Sequence, residues 1–108
     1  MKVISFLLFL GACATHQHDS VFEAFGGRHE EFRHCYRFQG PYKENLSGNV
    51  VLGVSVNEDG IVNKAIIKQS DFKDDKFHQC LIEVVKPIKF QVSKSMVLEQ
   101  PIFFSPEF

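Results

Sequence analysis

The sequence predicts an α+β fold: a two-layer sandwich in the order helix, strand, strand, helix, strand, with both helices on one face of a small antiparallel three-stranded sheet. Three observations predict it. Residues 49–57, NVVLGVSVN, alternate apolar and small or polar positions and run into Asp59-Gly60. Helix-period apolar stripes lie on either side of that region. A last apolar segment carries Pro101. The chain has 108 residues, 44% hydrophobic and 23% charged, which is the composition of one globular domain and not of a disordered or fibrous chain. Its net charge of −1, from 12 basic and 13 acidic side chains, argues against a nucleic-acid partner.

The first helix is expected over about 28–38. Phe25, Phe32, Cys35 and Tyr36 fall on one face, Gly26-Gly27 frays or kinks the start, and Gly40-Pro41 ends it. In the first strand, Val50, Leu52, Val54 and Val56 share one face, and Val51, Gly53, Ser55 and Asn57 the other. Glu58-Asp59-Gly60 is a hairpin signal. The second strand, Ile61 to about Ser70, alternates imperfectly, because Val62, Ala65 and Ile67 cannot share a period of two. A bulge is expected there. Asp74-Asp75 place negative charge at the start of a second helix, whose stripe is Phe77, Cys80, Leu81 and Val84; Pro87 stops it. Pro101 suits an edge position in the closing strand, Val97 to Phe104.

The N-terminus reads differently. Lys2 precedes the apolar run Val3 to Leu10, which would span only ~12 Å as a helix, too short to cross a bilayer core. A charged start, short apolar run and small-residue exit make residues 1–12 a signal peptide. Leu10-Gly11-Ala12-Cys13 resembles the lipobox of bacterial lipoproteins. That resemblance implies cleavage before Cys13, a diacylglycerol on its thiol and a further acyl chain on the new amino terminus, enough chains to anchor stably. Ala14 resembles the residue type that permits sorting to an outer membrane. Residues 13–20 then form the lipidated cysteine and a polar tether, ATHQHDS, reaching at most ~25 Å, and 21–108 form the domain.

The run FRHCY…LSGNVVLGVSVNEDGIVNKAIIKQS…FHQCLIEVVKPIKF…QPIFF resembles the TonB C-terminal-like superfamily, in particular the branch named after the gliding-motility proteins AgmX and PglI. The matching positions are Cys35-Tyr36, Leu46-x-Gly48-x-Val50, Asp59-Gly60-x-Val62, Ser70, Cys80 and Pro101, over about residues 28–105. Two features depart from the pattern. Ile88-Lys89-Phe90 stands where the family usually closes the second helix with a Trp-x-Phe signature. An energy transducer of this type resembles an inner-membrane helix, a long Pro-rich spacer and then this domain, whereas here a short tether precedes it. What the resemblance implies is the fold and a binding habit rather than energy transduction.

With Cys13 lipidated, Cys35 and Cys80 are the remaining thiols in an oxidising compartment. A structural disulfide is the simple reading, and cysteines at these places resemble the family pattern. Two alternatives use the neighbouring histidines. His34-Cys35 with His78-x-Cys80 offers the ligand set of a tetrahedral zinc site, although a histidine beside a helical cysteine points about 100° away from it. A Cys–His nucleophile needs an accessible thiolate of depressed pKa, which apolar helix stripes do not favour. His16 and His18 fall in the tether. The adjacent carboxylates Glu30-Glu31, Glu58-Asp59 and Asp74-Asp75 suit helix starts and turns, and no phosphate loop, HExxH or triad order is present. The reading is therefore non-enzymatic, without metal or cofactor.

The remaining candidate is the sheet edge. In the resembling family the strand near the C-terminus contacts the partner, which implies Val97, Leu98, Glu99, Gln100, Ile102, Phe103 and Phe104 as partner-binding residues here. The alternative is that alternate members of this strand simply pack under the helices. The expected function is a lipid-anchored, periplasm-facing module that binds an envelope protein, by strand addition, as an accessory of a trans-envelope transport or motility-type system. A structural envelope lipoprotein with no dedicated peptide site is the alternative.

Overall fold

Three valines and one leucine at every second position fix the centre of the molecule. In β1 (Gly48–Val56), Val50, Leu52, Val54 and Val56 are all buried and form the sheet side of a single apolar cluster. The structure, a computed structural model, describes residues 23–108. The expected signal peptide, Cys13, the expected tether and the first residues of the expected domain lie outside the described residues.

Above β1 lie α1 (His29–Phe38) and α2 (Asp75–Val85). Phe32, Cys35 and Tyr36 from α1, and Phe77, Leu81, Val84 and Val85 from α2, are buried in the same cluster as the β1 side chains. β2 (Val62–Ser70) and β3 (Met96–Phe104) flank β1 in the order β2-β1-β3, both antiparallel to it. The α+β two-layer architecture predicted from sequence is the one observed, with α2 carrying the chain from one edge of the sheet to the other. Among the described residues no helix is long and apolar enough to cross a membrane.

Local chemistry explains each boundary. A helical turn over 23–26 gives way at Gly27 and Arg28, so α1 begins at His29 while Phe25 still reaches the core. Asp74 caps α2, its side chain accepting from the Phe77 amide at 3.0 Å. β2 contains two irregularities, opposite Val51/Leu52 and opposite Ser55/Val56, which leave Lys68 and Asn63 without partners on β1. Each supplies one extra residue, so Val62, Ala65, Ile67 and Ser70 all turn toward the helices despite spacings of three, two and three.

The turn between β1 and β2 differs from the two-residue hairpin that Asp59-Gly60 signals. β1 ends at Val56 and β2 starts at Val62. The Asn57 side chain takes over the loop, its Oδ1 accepting from the amides of Asp59 at 2.9 Å and Ile61 at 3.0 Å. Ile61, expected to open the strand, forms an isolated bridge with Lys89 instead. Gly60 has φ 84, and a Cβ there would lie 1.8 Å from the Phe90 carbonyl oxygen. The Phe90 amide donates to the Gly60 carbonyl at 2.8 Å, so this turn is clipped to the segment following α2. Ile88 and Phe90, in the segment that follows α2, are both buried.

Aromatic rings fill the space between the layers. Tyr36 stacks on Phe104 with centroids 5.7 Å apart, and Phe77 meets the same ring edge-on at 5.1 Å. The Tyr36 hydroxyl donates to the Leu46 carbonyl at 2.7 Å. Burial pushes its pKa above the ordinary value of 10.0, Tyr42 nearby adds to the rise and Arg37 opposes it.

Candidate functional site

The backbone of β1 decides which groups of β3 are free. Asn49 uses both of its main-chain groups on the β2 side: its carbonyl accepts from the Asp71 amide at 2.9 Å, and its amide donates to the Asp71 carboxylate at 2.8 Å. Main-chain groups alternate sides along an antiparallel strand, so Val50, Leu52 and Val54 direct theirs at β3. Their partners there are Ile102, Gln100 and Leu98. The intervening residues of β3, Val97, Glu99, Pro101 and Phe103, therefore direct their main-chain groups outward, along an edge that no described backbone group covers.

Pro101 sits at one of these outward positions, where its missing N–H removes nothing from the β1 ladder. Its carbonyl accepts from the Gln100 side-chain amide at 2.9 Å. Full donor and acceptor pairs are thus presented at Val97, Glu99 and Phe103, and a half-blocked position lies between the last two.

The side chains divide by the same parity. Val97, at 74%, and Phe103, at 56%, are the most exposed of the large hydrophobics on β3. Leu98 and Ile102 pack against the core, and Phe104 is fully buried. The inclusion of Phe104 among partner-binding side chains is therefore corrected: its ring belongs to the core, and its main chain is turned to Gly48 on β1. Glu99 lies on the outer sheet face, ion-paired with Lys68 from the opposite edge strand. Gly53 lies between them on β1, and a Cβ there would come within 3.3 Å of the Lys68 side chain. The absent side chain is what lets Lys68 cross the central strand. Both members of this pair are half exposed, so it contributes little stability.

Beside the edge runs a groove of about 260 Å³, walled by Phe25, His29 and Phe32 on one side and by Pro101, Phe103 and Phe108 on the other. Phe108 is held there by His29, whose ring stacks on it at 4.5 Å, and by Arg33, whose Nε donates to the Phe108 carbonyl at 3.0 Å. Sequence reasoning did not bring the 25–32 wall to β3. It comes from a helix whose neighbour in the sheet is the last strand of the chain, and no local spacing carries that information.

Cys35 and Cys80 form the disulfide, with Cα atoms 5.7 Å apart and a sequence separation of 45. Joined to each other, they offer no thiolate for a zinc ion or for nucleophilic attack. The histidines beside them have other partners: His34 packs on Phe38, with centroids 4.5 Å apart, and His78 Nε2 lies 2.7 Å from Ser70 Oγ. Cys80, expected on the core face of its helix, sits at the rim and is only half-buried. Among the described residues no three His, Cys, Asp or Glu side chains converge on a point that would hold a metal ion. In comparison with known proteins, no family model and no curated protein matches the chain.

Proposed function

We propose that the protein is a bacterial envelope lipoprotein, anchored through acyl chains on Cys13 in the outer membrane and facing the periplasm. Its domain, of the TonB C-terminal-like kind, binds an extended segment of another envelope protein without catalysis, as an accessory of a trans-envelope transport or motility-type system. The observation that carries this reading is the outward set of main-chain groups at Val97 and Glu99 on β3, adjoining an apolar groove. An added strand gains main-chain hydrogen bonds from such an edge and side-chain selectivity from the pocket beside it. A short tether keeps the domain within ~25 Å of its membrane, which favours a partner in the same membrane or just beneath it.

One observation favours the structural lipoprotein instead. Pro101 and the Gln100 amide blunt the middle of the edge, as in strands that avoid pairing. The test is cross-linking in intact cells with identification of the captured protein by mass, comparing the native chain with Val97→Pro and Glu99→Pro. The binding reading expects one enriched envelope protein that both variants lose while remaining folded. Capture of abundant neighbours alone, unchanged by the variants, establishes the structural reading. Cys13→Ser is expected to abolish incorporation of labelled palmitate into the protein, and unchanged incorporation refutes the acyl anchor.

A further inference from the structure

The two sulfurs of the disulfide have unequal surroundings. Cys35 is 1% exposed and lies within the apolar cluster on α1. Cys80 is half-buried and borders a shallow hollow of about 430 Å³, whose other walls are Gln39, Lys76, Gln79 and Glu83. Lys76 stands one turn before Cys80 on α2, and among the described residues it pairs with no carboxylate. The carboxylate of Glu83 is engaged by Gln79 at 2.6 Å and by Lys86 at 3.7 Å. The approach to Cys80 is therefore open and carries an uncompensated cation, which favours an arriving thiolate.

We propose that Cys80 Sγ is the thiol-exchange site of the folded protein, attacked by a small external thiol, with Cys35 as the leaving group. A new S–S bond forms between the external sulfur and Cys80 as the Cys35–Cys80 bond breaks, and the electron pair passes to Cys35 as a thiolate. That thiolate either recloses on Cys80 or takes a proton. A second equivalent of the external thiol then attacks the mixed disulfide, leaving Cys80 as a thiol and releasing the oxidised reagent. Because the Cys35 thiolate forms in apolar surroundings, it is an unfavourable leaving group and an effective resolving one. Exchange therefore enters by a single sulfur and tends to reverse. The disulfide is a modification site with one accessible end, at the rim of the helix face that packs on the core.

The test maps the adduct. The full chain is incubated with reduced glutathione, quenched in acid and digested, and the mixed disulfide is located by mass. The expected result is glutathione on Cys80, at least about tenfold over Cys35. In parallel, Cys35→Ala and Cys80→Ala are treated with Ellman's reagent, and the thiol of Cys80 is expected to react about 100-fold faster than that of Cys35. Equal labelling of both cysteines, labelling of Cys35, or reduction only at the rate of urea-promoted global unfolding overturns the proposal. Should either single-cysteine variant fail to fold by circular dichroism, adduct mapping on the native chain decides alone.

Discussion

Proline placed at successive positions of β3 separates its two sets of main-chain groups. Leu98 pairs with Val54 in the hydrogen-bonded phase of the ladder, and Val54 is wholly buried. Leu98→Pro deletes the N–H that Val54 accepts from, and leaves its carbonyl without a partner away from water. The orphaned carbonyl costs about 1–3 kcal/mol, and with the lost leucine packing the total comes to about 3 kcal/mol or more. Val97 directs its N–H outward and is 74% exposed, so Val97→Pro deletes no described bond. Its effect is expected within about 1 kcal/mol. The assay is urea denaturation followed by far-ultraviolet circular dichroism, since the sequence contains no tryptophan to report by fluorescence. With an m-value of about 1 kcal/mol/M, the two midpoints should differ by about 2 M. Equal midpoints, or a lower one for Val97→Pro, would falsify the assignment of the free edge. The use of Val97→Pro as a folded, binding-deficient variant would fall with it.

Three further expectations follow from the packing. Gly60→Ala should destabilise by about 3 kcal/mol or more, since its Cβ collides with the Phe90 carbonyl at a positive φ; a thermal shift of a degree or less refutes the clip. Replacing both Cys35 and Cys80 by alanine should cost roughly 4 kcal/mol for the separation of 45, measured by urea titration; an unchanged midpoint shows that the cross-link restrains nothing. Tyr36 has a folded-state pKa raised above 10.0, so the unfolded chain loses its proton first. The contribution of Tyr36 to stability is therefore constant below that pH, falls as pH rises through it, and levels off above the folded-state value. Tyr36→Phe should lose about 1 kcal/mol at neutral pH with the Leu46 hydrogen bond and flatten the alkaline decline. A decline as steep as in the native chain assigns it to another group.

What was legible in the sequence depended on how local its cause is. The alternation of Val50, Leu52, Val54 and Val56 specifies a strand with one buried face, because a side-chain period of two has no other economical solution. The broken alternation of 62–67 reveals bulging in the same way, through residues that can only be buried if the phase slips. Asp74 announces α2 by its capping chemistry. Phe72 was not legible as core: it lies between β2 and α2 without periodic neighbours, and it is buried because Phe77 and Phe104 converge on it. The loop over 57–61 misled because Asp-Gly is a strong signal by itself, while the competing Asn57 side chain comes before it. At the candidate site, Pro101 marks an edge strand from sequence alone. The groove, the Lys68–Glu99 pair and the outward phase of Val97 all depend on β3 lying beside β1, a pairing between distant parts of the chain.

The two irregularities of β2 also bear on how the gene can change length. In a regular strand, losing one residue rotates everything beyond it to the opposite face, and half the core is turned to water. Asn63 and Lys68 are surplus to the pairing with β1, so removing either restores a regular ladder locally and leaves every other side chain of β2 on its present face. Deletions at these two codons are the ones the sheet can absorb, and Asn63, which has no side-chain partner among the described residues, is the cheaper of the two to lose. Related chains that differ in length within this strand should carry their gaps at these positions.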